Sequence, residues 1–167
     1  MRRPMTPNGN NALRKELKKL KAMRPELAQA IEIARALGDI SENADYDAAK
    51  EKSGMIEAKI RDVDNKLTQA EVIDPRNIKN HDRVVFGLSI KIEDIDSGEQ
   101  KVFHLVGSDE SDLTKNRLGF ESALAKGLIG KQAGDICKVS LPSGAKEYEI
   151  IQIFCGYQPD PEESEAE

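Results

Sequence analysis

Gly38-Asp39-Ile40-Ser41-Glu42-Asn43-Ala44-Asp45-Tyr46 separates two long runs that share one apolar rhythm. Upstream, between Asn11 and Leu37, apolar residues stand at Leu13, Leu17, Leu20, Leu27, Ile31 and Ala34. Steps of three and four place them on one helical stripe, the a/d seam of a coiled coil, with Arg24 interrupting it for one turn. Downstream the pattern returns at Ala49, Ile56, Ile60, Val63, Leu67 and Ala70. Ser53 is the polar break in this second seam, and Asp74-Pro75 is its predicted stop. So short a connection folds the second run back on the first as an antiparallel partner. About 27 residues at 1.5 Å each give arms of roughly 40 Å. Pro25 lacks a backbone donor and crowds the preceding turn, so a bend or weak point is expected there.

Beyond the linker at Pro75 to Asp82 the period shifts from helical to alternating. Val84, Phe86, Leu88, Ile90 and Ile92 fall on one face of a predicted strand, and Asp96-Ser97-Gly98 reads as the turn after it. A second strand is expected over Lys101 to Val106. Ser122 to Ile129 reads as a short helix closed by Gly130. Cys137, Val139 and Leu141 alternate again, and Pro142-Ser143-Gly144 turns the chain into a last strand, Tyr148 to Phe154. The fold class is therefore α+β, with a helical hairpin followed by a small, mostly antiparallel sheet and one helix. The expected division is a hairpin domain over 1–75, a linker over 76–82, a sheet domain over 83–157 and a disordered acidic tail over 158–167.

Composition suits this plan. A third of the 167 residues are charged and only 4% are aromatic, which favours long exposed helices and a small core over one large globule. The net charge of −5 argues against a general coat for nucleic acid. No apolar run approaches the roughly 20 residues that cross a bilayer, and no leader is recognisable, so a cytoplasmic protein without membrane contact is expected. Cys137 and Cys155 lack metal-ligand spacing and read as reduced thiols in apolar surroundings, a disulfide being the alternative. His81 and His104 have no partner spacing for a metal or a triad. Arg14, Lys15, Lys18, Lys19 and Lys21 read as the solvated face of the first helix, with an RNA contact as the alternative. Gly127-Leu128-Ile129-Gly130-Lys131 has the wrong spacing for a phosphate loop.

The acidic turn has two readings. In the structural one, Gly38 closes the first helix, while Asp39 and Glu42 form a capping box for the second. In the functional one, the acids hang at the end of a narrow rod. Two carboxylates are too few for a tight private Mg²⁺ site. They are enough to help hold a second metal in a centre that already contains one, as in two-metal phosphoryl chemistry.

The stretch from Gly38 through Tyr46 to Ala48-Ala49-Lys50-Glu51 resembles the signature of bacterial Gre-family transcript-cleavage factors, on the GreA side. Shorter matches follow in order: Met5-Thr6-Pro7, Leu17 to Leu20, Arg24-Pro25-Glu26, Ala70-Glu71-Val72-Ile73-Asp74, Val106-Gly107, Asp109-Glu110 and Gly127 to Lys131. The resemblance covers nearly the whole chain. It implies an N-terminal coiled-coil hairpin, an FKBP-like C-terminal domain, and docking on bacterial RNA polymerase through its secondary channel; a monomer is expected, with pairing of the seam between chains as the alternative. There the tip acids help the polymerase cleave nascent RNA in a backtracked elongation complex, so the factor is not itself an enzyme.

By the same resemblance, Asp39 and Glu42 are the catalytic acids. They share Mg²⁺ with the polymerase, and the isolated protein has no cofactor of its own. Arg35 and Lys50 match basic positions that face RNA or the polymerase, while Glu121 and Ser122 belong to the docking surface. Relatives commonly have Ser-Pro where this chain has Ser122-Ala123, which is expected to soften that surface. The alternatives are a binding-only paralogue that blocks the channel and a prolyl isomerase. The latter needs an aromatic-lined pocket that four Phe and three Tyr spread along the chain do not favour.

Overall fold

The computed structural model describes residues 2–38 and 43–161. The chain divides into two compact units: Asn11–Gln69, and a second made of Met1–Asn10 together with Ala70–Glu167.

The first unit is the helical hairpin. Helix α1 (Pro7–Ala36) and helix α2 (Ala44–Thr68) supply its arms. Leu13, Leu20, Leu27 and Ala34 are all buried, one heptad apart. Ile56, Ile60 and Val63 are their buried counterparts on α2, flanked by half-buried Tyr46, Ala49, Ser53 and Leu67. The arms run antiparallel. Arg14, Leu17 and Lys21 line one groove with Asp64 and Leu67, Arg24 bonds Glu57, and Arg35 lies over Tyr46. Numbers fall on one helix as they rise on the other.

Arg24, the break in the seam, is exposed and donates through Nε and Nη2 to both Glu57 carboxylate oxygens, at 2.7 and 2.9 Å. That hydrogen-bonded pairing holds the Glu57 carboxyl below its ordinary pKa. Pro25 does not break α1, which continues through it to Ala36. The five basic residues near the start of α1 are all exposed.

α2 stops earlier than Asp74-Pro75. Its last helical residue is Thr68, and Ala70–Val72 is instead strand β2, paired in parallel with β1 (Arg3–Met5). Ala70 therefore belongs to a strand and not to the helical seam. At the other end, α1 begins before Asn11. Thr6 caps it by accepting from the Gly9 N–H, and Pro7 takes the first helical position, where its missing donor costs nothing.

In the second unit, β3 (Ser89–Asp94), β4 (Gln100–Val106), β5 (Arg117–Gly119), β6 (Ile136–Leu141) and β7 (Gly144–Phe154) form one sheet. Their order is β5-β4-β3-β7-β6, antiparallel except for the β4–β5 pair. The first strand is shorter than its alternation suggests. Val84 exchanges backbone bonds with Gly130 and Lys131, and Gly87 turns the chain at φ +90°, so pairing in the sheet begins at Ser89. Val84, Leu88, Ile90, Ile92, Leu105, Leu128 and Ile150 form the centre of the core, none more than 1% exposed.

Helix α3 (Ala123–Leu128) covers that core. Gly127 lets it approach closely, since a Cβ there would stand 2.8 Å from a Val139 methyl. Cys137 is buried and free, and desolvation pushes its thiol pKa up; Cys155 is also free. At the end of the chain Asn8 bonds the Gln158 carbonyl and the Asp160 N–H, so the expected tail starts with residues tied to the α1 N-terminus. No described helix is long and apolar enough to cross a membrane.

Candidate functional site at the hairpin turn

α1 ends where Leu37 N–H bonds the Ala34 carbonyl and Gly38 takes φ +141°, a conformation that favours glycine. α2 restarts at Asn43, whose extended backbone (φ −91°, ψ 97°) marks it as the N-cap. Its Oδ1 accepts from the Tyr46 N–H at 3.1 Å, and its Nδ2 donates to the Ala34 carbonyl on the opposite arm. Asp45 and Asp47 lie in the first turn, where negative charge complements the helix's positive end.

The cap is thus an amide, four residues later than the one expected from a capping box at Asp39. The residues that had been expected to form that box, Asp39 and Glu42, lie outside the described residues. Sequence reasoning passed over Asn43, although an Asn immediately before a helical run is a recognised start signal.

Arg35, in the last turn of α1, stands 3.6 Å from Glu32 and 6.0 Å from the centre of the Tyr46 ring. Tyr46 is half-buried, with the Arg35 guanidinium of the other arm over its ring. Lys50 is exposed one turn along α2. Ile33 and Leu37 are also exposed, at 56% and 71%. The structure therefore gathers Arg35, Tyr46 and the Asn43 cap around the turn.

Glu121 and Ser122 are elsewhere, in the sheet unit, and each has a local partner. Ser108 donates its hydroxyl to Glu121 at 3.0 Å, and Ser122 caps α3 by accepting from the Ala125 N–H at 3.2 Å. Ala123 fills the first helical position, and the cap forms with alanine there.

The family follows from sequence comparison. A transcription elongation factor N-terminal family matches residues 3–72, and the C-terminal GreA/GreB transcription elongation factor family matches residues 79–154. This chain belongs to the GreA/GreB family of transcription elongation factors. The transcription elongation factor GreA of Psychrobacter sp. is 48% identical over 92% of this chain and 98% of its own. That of Vibrio parahaemolyticus is 44% identical over 90% and 96%. The crystal structure of GreA factor homolog 1 from Thermus thermophilus is 22% identical, covers 92% of this chain and 99% of its own, and has a TM-score of 0.42.

Within this Gre-family factor, the short matched segments prove to be neighbours. Ile73 N–H bonds the Met5 carbonyl at 2.9 Å, and Arg3 pairs with Asp109 at 2.7 Å. Glu110 accepts from the N–H groups of Thr6 and Gly107 and from the Thr6 hydroxyl. A Cβ on Gly107 would meet the Pro4 carbonyl at 2.8 Å. Met5-Thr6-Pro7, Ala70 to Asp74, Val106-Gly107 and Asp109-Glu110 thus build one junction at the α1 N-terminus.

Proposed function

We propose that this factor docks on bacterial RNA polymerase, places its hairpin turn in the secondary channel and stimulates the polymerase's own hydrolysis of backtracked RNA. The observation that carries the reading is the amide cap at Asn43. An acid whose task is to close a helix end is explained by that helix. Here an amide closes α2, so that helix end does not call for an acid as its N-cap.

The Asp39 and Glu42 carboxylates are oxygen donors of the kind Mg²⁺ takes. Among the described residues no cluster of three or more His, Cys, Asp or Glu is placed to hold a metal. The donor set of two fits an ion shared with the polymerase and not a private site. Such an ion, when bound, stabilises the attacking and leaving oxygens of the displacement. Asp39 and Glu42 would help hold that shared ion and orient the attacking water. Arg35 and Lys50 offer positive charge to nascent RNA or to the channel wall. Exposed Ile33 and Leu37 add an apolar surface suited to being covered by a partner. Glu121 and Ser122 contribute to docking, and the factor acts as a monomer without a complete active site of its own.

The test is transcript cleavage in stalled, backtracked polymerase complexes with Mg²⁺. Asp39→Ala and Glu42→Ala should each lower stimulated cleavage by roughly a hundredfold, the scale of losing one transition-state contact, with polymerase binding nearly unchanged. Wild-type protein that binds the channel without accelerating cleavage would make this a binding-only factor.

A further inference from the structure

A cleft of about 480 Å³ opens in the sheet unit, remote in sequence from the hairpin turn. Three of its lining residues, Arg117, His104 and Phe154, belong to one cross-strand row. Arg117, His104, Ser89 and Phe154 sit directly opposite one another on β5, β4, β3 and β7. Alternation puts this row on the face opposite Leu105, Leu118, Ile90 and Ile153, which belong to the core.

Ser89 is fully buried beneath the row; its Oγ accepts from the Gly156 N–H at 3.2 Å and lies 2.5 Å from His104 Nδ1. The Ser89 hydroxyl thus engages Nδ1 of the ring, and Nε2 is the ring nitrogen left over. Nε2 has no hydrogen-bond partner among the described residues. Burial, helped by the nearby Arg117 charge, holds the imidazole pKa below its ordinary value.

Two cations stand at the same cleft. Lys115 and Arg117 line it, and neither forms an ion pair among the described residues. Asp112 feels both charges, but its Oδ1 is taken by the N–H and hydroxyl of Thr114. Glu110, the carboxylate in the cleft wall, is turned to Thr6 and Gly107, which supply three donors to it. Phe154 and Val106 add apolar wall.

We propose that this cleft binds a small organic phosphate, its phosphate held by Lys115 and Arg117 with the His104 imidazole as a third polar contact. The volume falls within the roughly 300–1,000 Å³ of small-molecule sites and exceeds what a bare phosphate fills. The organic part lies against Phe154 and Val106. This site is independent of the reading given to the hairpin acids.

The experiment titrates the full-length protein with AMP and, separately, with inorganic phosphate at constant ionic strength, following the His104 imidazole and Phe154 ring signals by NMR. AMP should move both signals saturably, and inorganic phosphate should move His104 alone and bind more weakly. Exposed Lys115→Ala, and separately Arg117→Ala, should weaken AMP binding about tenfold or more, the scale of one lost charge-assisted bond. Equal affinity for the two probes would overturn the organic part of the assignment. No saturable shift at roughly millimolar ligand, or unchanged affinity in folded Lys115→Ala, would overturn the site.

Discussion

Asn43 performs two tasks with one side chain. Its oxygen satisfies a first-turn N–H of α2, and its nitrogen ties the Ala34 carbonyl on the other arm. Asn43→Ala should cost about 1–2 kcal/mol of hairpin stability, read by urea unfolding followed by circular dichroism. Asn43→Asp keeps the cap and loses the donor to Ala34, so its cost should lie between those of the wild type and the alanine variant. Asp39→Ala should leave helicity unchanged, because the cap is elsewhere.

His104 makes a different residue-scale prediction. Its folded pKa is lowered from 6.5 by burial and by Arg117, so as pH falls the unfolded chain takes up its proton first. The stability it contributes is complete above about 6.5 and declines as pH drops through the lowered folded value. His104→Gln should flatten urea midpoints across that window. Asp74 and Asp112, held below 3.8 chiefly by hydrogen bonds from Arg76 and Thr114, act only in more acidic solution.

At the scale of elements, α1 is held as one helix by its seam despite Pro25. Four buried positions at heptad spacing lie on both sides of the proline, and the Arg24–Glu57 pair is immediately before it. The proline still removes one backbone bond inside the helix. Pro25→Ala should therefore raise hairpin stability by roughly 1–3 kcal/mol, measured as a higher thermal midpoint. An unchanged midpoint would mean that the missing bond is satisfied elsewhere. The short strands teach the opposite lesson. β1, β2 and β5 have three residues each, too few for an alternating pattern to reveal them, and each exists because a neighbour offers it backbone partners.

For the whole molecule, the informative fact is how the chain is shared between its two units. Residues from both ends build the sheet unit, and the hairpin is an insertion between Asn10 and Ala70. The N-terminal segment is held there by the β1–β2 pairing, the Arg3–Asp109 ion pair and the Glu110 bonds to Thr6. Deleting residues 1–5 should lower the thermal midpoint of the sheet unit, even though every strand of the five-stranded sheet remains. Tryptophan-free spectra make the Tyr148 and Tyr157 signals a convenient monitor. An unaltered sheet transition would show that β1 and its contacts add little to that unit.

Local patterning alone determined the hairpin, because heptad spacing at Leu13, Leu20 and Leu27 and the punctuation at Gly38 are properties of neighbouring residues. It also determined α3, through Ser122 and Gly130, and the alternation of Ile90 with Ile92. The acidic turn was legible as a candidate site for the same reason, since its residues are contiguous. Tertiary structure decided what depends on distant partners. Val84 pairs with the Gly130 loop, Thr6 with Glu110, and Ala70 to Val72 with the N-terminus; no local period encodes these choices. The row of Arg117, His104, Ser89 and Phe154 arises only from strand register, which depends on backbone pairing between segments far apart in the chain.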